Sequence, residues 1–340
     1  MSAAPIDLCI VGGGSFGTAL ALVVADRGRR VRMWVRRQEQ ADEINREHTN
    51  EPYLRQRRLP HEVCATCDMR EAVAGAPVVL MAIPSKSFRE VARSVGEHIQ
   101  GDQLLVHATK GIEVATFSRM TQILREETCA LKIGVLSGPN LAAELVQGHP
   151  SGSVIASRFD EVVRAVQALF AGAHLRVYGG RDVVGVEFAG AFKNIIAIAA
   201  GVADGFGFGD NARSLVITRG LSEMARMGAS LGGDVFTFGG LAGVGDLVAT
   251  CNSKLSRNHQ VGERLAQGQD LDTILRDLRF VAEGVPTTDA VHRRAVSVGL
   301  RLPICEAVHS VLFDGRSATV AMEMLMALPV GDELSALRYR

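Results

Sequence analysis

The chain has 340 residues, 47% hydrophobic and 22% charged, which supplies apolar material for sizeable cores and does not read as disorder. Lys plus Arg and Asp plus Glu each number 37, so the formal net charge is zero. That balance speaks against a nucleic-acid partner or an acidic membrane surface, both of which require a basic excess. No segment reads as an integral membrane span: the longest apolar run has a lysine at its middle. The opening "MSAAPIDLCIVGGG" lacks the basic start of a signal peptide, so a cytoplasmic location is expected.

Strand signals come first along the chain: Asp7 to Gly12, Arg30 to Val35, Pro77 to Pro84, Gln103 to Thr109, Lys132 to Pro139, Gly152 to Ser157 and Leu175 to Gly180. They are nearly continuous apolar runs separated by helical stretches such as Gln38 to His48 and Arg89 to Ile99. Such runs predict a parallel sheet covered on both faces, a doubly wound α/β domain of Rossmann type. "HEVCATC" holds the one C-x-x-C pair, Cys64 and Cys67, read as two residues on a β-strand and its exit. A structural zinc needs four ligands and no second pair exists, so no metal site is expected.

After Gly180 helical patterning takes over, at Val184 to Ala203, Ala212 to Met227, Asn258 to Ala266, Thr287 to Val298 and Ala318 to Ala327. The expected division is a dinucleotide-binding domain over 1–183 and an all-α substrate and catalytic domain over 184–340. A cleft between two such domains is the default place for chemistry.

Within the first strand–helix turn, Gly12, Gly14 and Gly17 fit G-x-G-x-x-G. Gly12 makes the tight turn, Gly14 lets the backbone approach a pyrophosphate, and Gly17 lets the helix pack close to the sheet. The helix start then offers free N–H groups and the positive end of its dipole to the anion. At the end of the second strand, where an NAD enzyme carries an acid, stand Arg36 and Arg37. Paired guanidiniums suit a 2′-phosphate, which favours NADP(H), with NAD(H) as the alternative.

Three later strand ends carry polar or glycine-rich turns: "AIPSKSF", "ATKGIE" with Lys110, and "SGPNLAAE" with Gly138 and Asn140. In the helical half, "FAGAFKNIIAIAAGVA" contains a single charge, Lys193. An ammonium buried among Phe, Ile and Ala is unfavourable unless it is paired, neutralised or used. Downstream lie the glycine-rich loop Asp204 to Ser214, then Asp246 in "GVGD", Thr250, and the donors Ser256, Arg257 and Asn258. Each has a plain account, such as Ser256 capping the following helix. A lysine, a carboxylate and an anion clamp in one helical domain are harder to explain as packing alone.

Taken in order, "GGGSFGTALA", "ATKGIE", "SGPNLAAE", "GAFKNIIAIAAG", "GFGFGDNARSLVITRGL", "GVGDLVATC" and "SRN" resemble the bacterial-type NAD(P)-dependent glycerol-3-phosphate dehydrogenases over roughly residues 7 to 330. The resemblance implies a helical domain related to that of 6-phosphogluconate dehydrogenase. It also implies reversible oxidation of sn-glycerol 3-phosphate to dihydroxyacetone phosphate, feeding phospholipid synthesis, and it leaves room for a homodimer. Carried over by position, Lys193 is the implied proton acceptor. Lys110, Gly138, Asn140, Lys193, Asp246, Ser256, Arg257 and Asn258 are implied to surround the substrate. Besides the motif glycines, Ser15, Phe16, Arg36, Arg37, Lys110, Ala142, Arg257, Val281 and Glu283 are implied to line the cofactor. Gly13 stands where alanine is frequent, Asn140 where a hydroxyl residue is frequent, and Phe16 where Tyr or Trp is.

A free lysine near pKa 10.4 is a poor base at neutral pH. Apolar neighbours and Lys110 are expected to depress Lys193, with Asp246 opposing them. Two other readings are a Rossmann-plus-helical dehydrogenase acting on a hydroxy acid or ketopantoate-like substrate, and a non-catalytic NADP(H)-sensing regulator.

Overall fold

Alternate residues of one strand enter different cores, which is why these strands are apolar along their whole length. Leu8 and Ile10 belong to one buried cluster with Leu80 and Val106, while Cys9 and Val11 belong to another with Val79, Met81 and Leu105. A strand with two buried faces cannot show the alternation of a half-exposed one. The computed structural model describes residues 5–55, 57–172, 174–278 and 281–329.

The strands are β1 (Leu8–Val11), β2 (Val31–Trp34), β3 (Val63–Thr66), β4 (Val78–Met81), β5 (Leu104–His107), β6 (Ile133–Ser137), β7 (Ser151–Ser157) and β8 (Leu175–Gly180). Their order across the sheet is β3-β2-β1-β4-β5-β6-β7-β8. Strands β3 to β6 along that order are parallel, so the direction of winding reverses between β1 and β4, where doubly wound sheets bind ligands. The helices in this half are α1 (Ser15–Ala25), α2 (Gln38–Glu47), α3 (Met69–Val73), α4 (Phe88–Gly96), α5 (Met120–Glu127), α6 (Ala142–Val146) and α7 (Asp160–Phe170).

The expectation of a parallel sheet needs one correction. β7 runs antiparallel to β6, with Gly134 opposite Ser157, and β8 then runs parallel to β7. Between β6 and β7 the chain carries only the five-residue α6, so it doubles back instead of making the helical crossover that parallel neighbours need.

The second half is helical: α8 (Val183–Gly205), α9 (Asp210–Ser230), α10 (Val235–Phe238), α11 (Asp246–Asn252), α12 (Arg257–Ala266), α13 (Leu271–Asp277), α14 (Gly284–Ser297), α15 (Pro303–Phe313) and α16 (Ala318–Met326). By internal contacts the residues group into one unit of Met1–Thr109 with Met120–Val183 and another of Lys110–Arg119 with Val184–Arg340. Lys110 to Arg119 thus groups with the helices, and Ile112 joins their core.

α8 is apolar on every side because it is the core of that unit: Phe188, Phe192, Ile195, Ile196 and Ala200 are fully buried. Its 23 residues are long and apolar enough to cross a membrane, and 89% of its apolar window is buried inside the protein. Val235–Asn252 passes the same length and hydropathy test with 39% of its window buried. α12 crosses α8 at backbone contact. A Cβ on Gly262 would lie 1.9 Å from the Ile198 carbonyl oxygen, and one on Gly201 would lie 2.0 Å from that of His259. No residue larger than glycine fits at either point.

Glu223 of α9 lies buried at the start of α15, where its carboxylate accepts hydrogen bonds from the Ile304 and Cys305 N–H groups at 2.7 and 3.2 Å. Burial pushes its pKa up to about 7, against the pull of those two bonds. The folded protein therefore keeps this proton across a range in which the unfolded chain, near 4.5, has lost it. Stability from this group is complete below the unfolded value and drains away as pH rises to about 7. In urea titrations at pH 5 and pH 7, Glu223→Gln should remove this component, so that the stability gap between wild type and variant shrinks at the higher pH. A gap that widens with pH would contradict the assignment.

Candidate active site

The glycine loop after β1 is packed on its inner side and open on its outer side. Gly12 has φ +122°, and a Cβ there would lie 2.4 Å from the Ala82 carbonyl oxygen. Gly17 brings α1 onto the loop, its would-be Cβ 2.1 Å from the Gly12 carbonyl oxygen. Gly14, the N-cap of α1, makes no side-chain cap and has nothing within 4 Å of its Cβ position. An open helix start faced by glycine fits the pyrophosphate of a dinucleotide.

Ser15 is exposed, and Phe16 packs half-buried against the sheet core. Arg36 and Arg37 are exposed just beyond β2, with Arg37 as N-cap of α2. Gly138, at φ +138°, is packed against the Gly152 carbonyl, and the Asn140 side chain donates to Ser153 Oγ at 3.0 Å. Ala142 opens α6. All of these belong to the first unit. A cavity of about 670 Å³ in that unit touches Asp7, Pro77 and Gln103, at the amino ends of β1, β4 and β5. Its place at the wrong end of the strands separates it from the glycine loop. Cys64 sits on β3 and Cys67 just after it, both as free thiols, and among the described residues no group of His, Cys, Asp and Glu is arranged to hold a metal.

In the second unit α8 and α11 bring the charged cluster together. Lys193 is 4% exposed and Asp246 2%. Lys193 Nζ donates to Asp246 Oδ1 at 2.5 Å and to Thr250 Oγ1 at 2.6 Å, while Lys110 Nζ donates to Asp246 Oδ2 at 2.8 Å. The Thr250 hydroxyl donates to the Asp246 carbonyl oxygen at 2.7 Å, one helical turn back. A π-turn over Leu241–Gly245 leads into α11, and Asp246 sits in its first turn, where the helix dipole favours an anion.

One carboxylate between two ammoniums leaves excess positive charge. Burial lowers the pKa of Lys193 from 10.5 to about 8, Asp246 opposes the shift, and Lys110 adds to it. The three effects are those anticipated from the sequence. Cys251 lies beside this cluster with its thiol pushed up to about 12, chiefly by burial, so it stays protonated and inert.

Asn194, next to Lys193, accepts from Asn258 Nδ2 at 2.9 Å, and Asn258 Oδ1 accepts from the Gly284 N–H at 2.9 Å. This chain ties α8, α12 and α14 together, using the Asn258 oxygen and one of its two N–H groups. Ser256 caps α12, accepting from the His259 N–H at 3.3 Å, which is the plain account its sequence position allowed. Arg257 is exposed at the first position of α12. Surrounding protein pulls its guanidinium below the ordinary value and Glu283 opposes this; a guanidinium stays charged in proteins. Glu283 is the N-cap of α14, and Val281 is exposed before it.

Sequence reasoning left Asn194 out of the site and named Thr250 only among the downstream donors. Its pairing with Asp246 was detectable, since the two are four apart and a helix puts such a pair on one face. Also unanticipated is a partly buried trio reaching α12: Asp204 accepts from Arg213 at 2.7 Å and pairs with the buried His259 Nε2 at 2.7 Å. Burial raises the Asp204 carboxyl, and the bonds from Arg213 and His259 outweigh it, so the net shift is downward.

A dinucleotide loop on a doubly wound sheet and a buried lysine–carboxylate pair in a helical unit define the class of nicotinamide-dependent dehydrogenases. Residues 7–163 match the family described as NAD-dependent glycerol-3-phosphate dehydrogenase N-terminus, and residues 182–323 match its C-terminus. The chain belongs to this family. It is 44% identical over 334 residues to glycerol-3-phosphate dehydrogenase [NAD(P)+] of Geobacillus thermodenitrificans, covering 97% of each chain. It is 47% identical over 310 residues to the Acinetobacter baylyi protein of the same name, covering 91% of this chain and 87% of that one. Among solved structures, glycerol-3-phosphate dehydrogenase from Coxiella burnetii superposes with a TM-score of 0.91 at 34% identity, covering 95% of this chain and 99% of that one.

Proposed function

We propose that this protein interconverts sn-glycerol 3-phosphate and dihydroxyacetone phosphate with a nicotinamide dinucleotide, Lys193 serving as the proton acceptor and donor. The observation that carries this reading is the buried ammonium held at 2.5 Å from Asp246 with a pKa of about 8. A bound dinucleotide supplies the hydride acceptor for oxidation and the hydride donor for reduction. Gly12, Gly14 and Gly17 would hold its pyrophosphate, with Ser15 and Phe16 beside them. Arg36 and Arg37 would hold a 2′-phosphate, which favours NADP(H) over NAD(H).

Oxidation at C2 requires the hydroxyl to lose a proton, and a neutral Lys193 amine accepts it. Reduction requires the ketone oxygen to gain one, and the Lys193 ammonium donates it. A group with pKa near the working pH serves both directions. Asp246 and Thr250 fix the direction of Nζ, and Lys110 adds positive charge where the C2 oxygen turns anionic. Arg257 would grip the phosphate with parallel N–H donors, and binding at that remote dianion orients C2. In a cell the product role would be to supply glycerol 3-phosphate for phospholipid synthesis. Six free cysteines accord with a reducing, cytoplasmic setting.

The pH dependence follows from which form of Lys193 works. The kcat for glycerol 3-phosphate oxidation should rise with pH through about 8, and that for dihydroxyacetone phosphate reduction should fall through the same region. Lys193→Met should lower both by about a hundred- to ten-thousandfold. Retained turnover in that variant would refute the assignment. Arg257→Ala should raise KM for both phosphorylated substrates by at least about tenfold in steady-state kinetics at saturating cofactor. Unaltered glycerol 3-phosphate kinetics would remove Arg257 from the phosphate site.

A further inference from the structure

Behind the glycine loop lies a buried polar cluster that no step above uses. Gln40 is 7% exposed, and Thr18 and Asn50 are fully buried. Gln40 Nε2 donates to the Gly13 carbonyl oxygen at 2.7 Å and to Asn50 Oδ1 at 3.1 Å. Asn50 Nδ2 donates to the same Gly13 oxygen at 3.1 Å and to Thr18 Oγ1 at 2.8 Å. The Thr18 hydroxyl donates to the Gly14 carbonyl oxygen at 2.8 Å. Two amide donors from separate segments, α2 and the turn after it, thus converge on one carbonyl of the loop.

We propose that Gln40 and Asn50, with Thr18, are positioning residues for dinucleotide binding, acting by fixing the peptide plane between Gly13 and Gly14. A trans peptide is rigid and carries its C=O and N–H on opposite sides. With the Gly13 oxygen held inward by two donors, the Gly14 N–H on the same plane is turned away from the buried cluster. A Cβ on Gly14 would meet no atom within 4 Å, so a ligand can approach the backbone there closely. Glycines could otherwise swing this plane freely, because they lack the Cβ that restricts other residues. The clamp removes that freedom before any ligand arrives, so less ordering remains to be done on binding.

Packing agrees with this role. A Cβ on Gly13 would lie 2.5 Å from Val35 Cγ1 and 2.7 Å from Gln40 Nε2, so the Gln40 amide occupies the space that a methyl group would fill. Glycine at position 13 leaves that space to a directed hydrogen bond. Because the fixed peptide faces the part of the ligand common to NADH and NADPH, the clamp should not distinguish them. Arg36 and Arg37, by contrast, stand where only the 2′-position differs.

The inference rests on the cofactor reading above, and calorimetric titration of NADPH and of NADH into purified full-length protein separates the two. Gln40→Met fills the same volume without a donor, and Thr18→Val removes the hydroxyl at constant shape. Both variants should weaken NADH and NADPH by the same factor, about five- to tenfold, the worth of one directed hydrogen bond. The KM for each dinucleotide should rise in step, with kcat and the KM for dihydroxyacetone phosphate unchanged at saturating cofactor. Thr18→Ser retains the hydroxyl and should bind as wild type does, and it stands as the control if Gln40→Met folds poorly by thermal melting. Unaltered affinity in both shape-conserving variants, a loss confined to NADPH, or an equal loss in Thr18→Ser would overturn the proposal. A wild type that binds neither dinucleotide would instead overturn the cofactor reading, and the inference with it.

Discussion

Asp246 holds two ammonium groups with one carboxylate, in a helical core that buries Asp246 and Lys193 and leaves Lys110 partly exposed. A buried ion is costly unless it is paired and fully hydrogen-bonded, and removing one member of such a set leaves an uncompensated charge. The cluster is therefore arranged so that all its members are engaged: Lys193 on Asp246 and Thr250, Lys110 on the other carboxylate oxygen, and the Thr250 hydroxyl back on its own helix. Burial, opposed by Asp246 and reinforced by Lys110, makes Lys193 give up its proton more readily than an ordinary lysine does. The apolar character of α8 thus has a chemical consequence as well as a packing one.

Close backbone packing makes such placement accurate. In the helical unit, Gly201 and Gly262 bring α8 and α12 to contact, which puts Asn194 and Asn258 within 2.9 Å and continues to Gly284 on α14. The first unit uses the same device at Gly12 and Gly17, where α1 is drawn down onto the loop it follows. Both sites depend on positions where any side chain would separate two backbones. Elsewhere in the second unit polar groups serve the architecture alone, as Glu223 does when it closes the start of α15.

Much of this was legible in the sequence, for identifiable reasons. Strands β1, β4, β5 and β6 announce themselves as nearly unbroken apolar runs because both faces are buried, and G-x-G-x-x-G located the loop because each glycine answers a separate steric demand. Lys193 stood out as a lone charge in an apolar helix. The reversal of β7 was not legible, since strand direction is set by the connection and not by the strand's own residues. Helices α5, α7, α11, α13 and α15 were passed over; α11 is masked by the glycine-rich π-turn that precedes it, which reads locally as a loop. The Gln40–Asn50–Thr18 cluster has no sequence signal either, because its members come from three elements and meet only once the sheet is wound.

The most direct test of the account is the protonation of Lys193 itself, followed by NMR of its ε-carbon in protein labelled at lysine. The account predicts a midpoint of about 8 in the wild type, and a higher one, still below 10.5, in Lys110→Met, where one source of repulsion is gone while burial remains. A wild-type midpoint at the ordinary lysine value, or one that does not move when Lys110 is replaced, would contradict it.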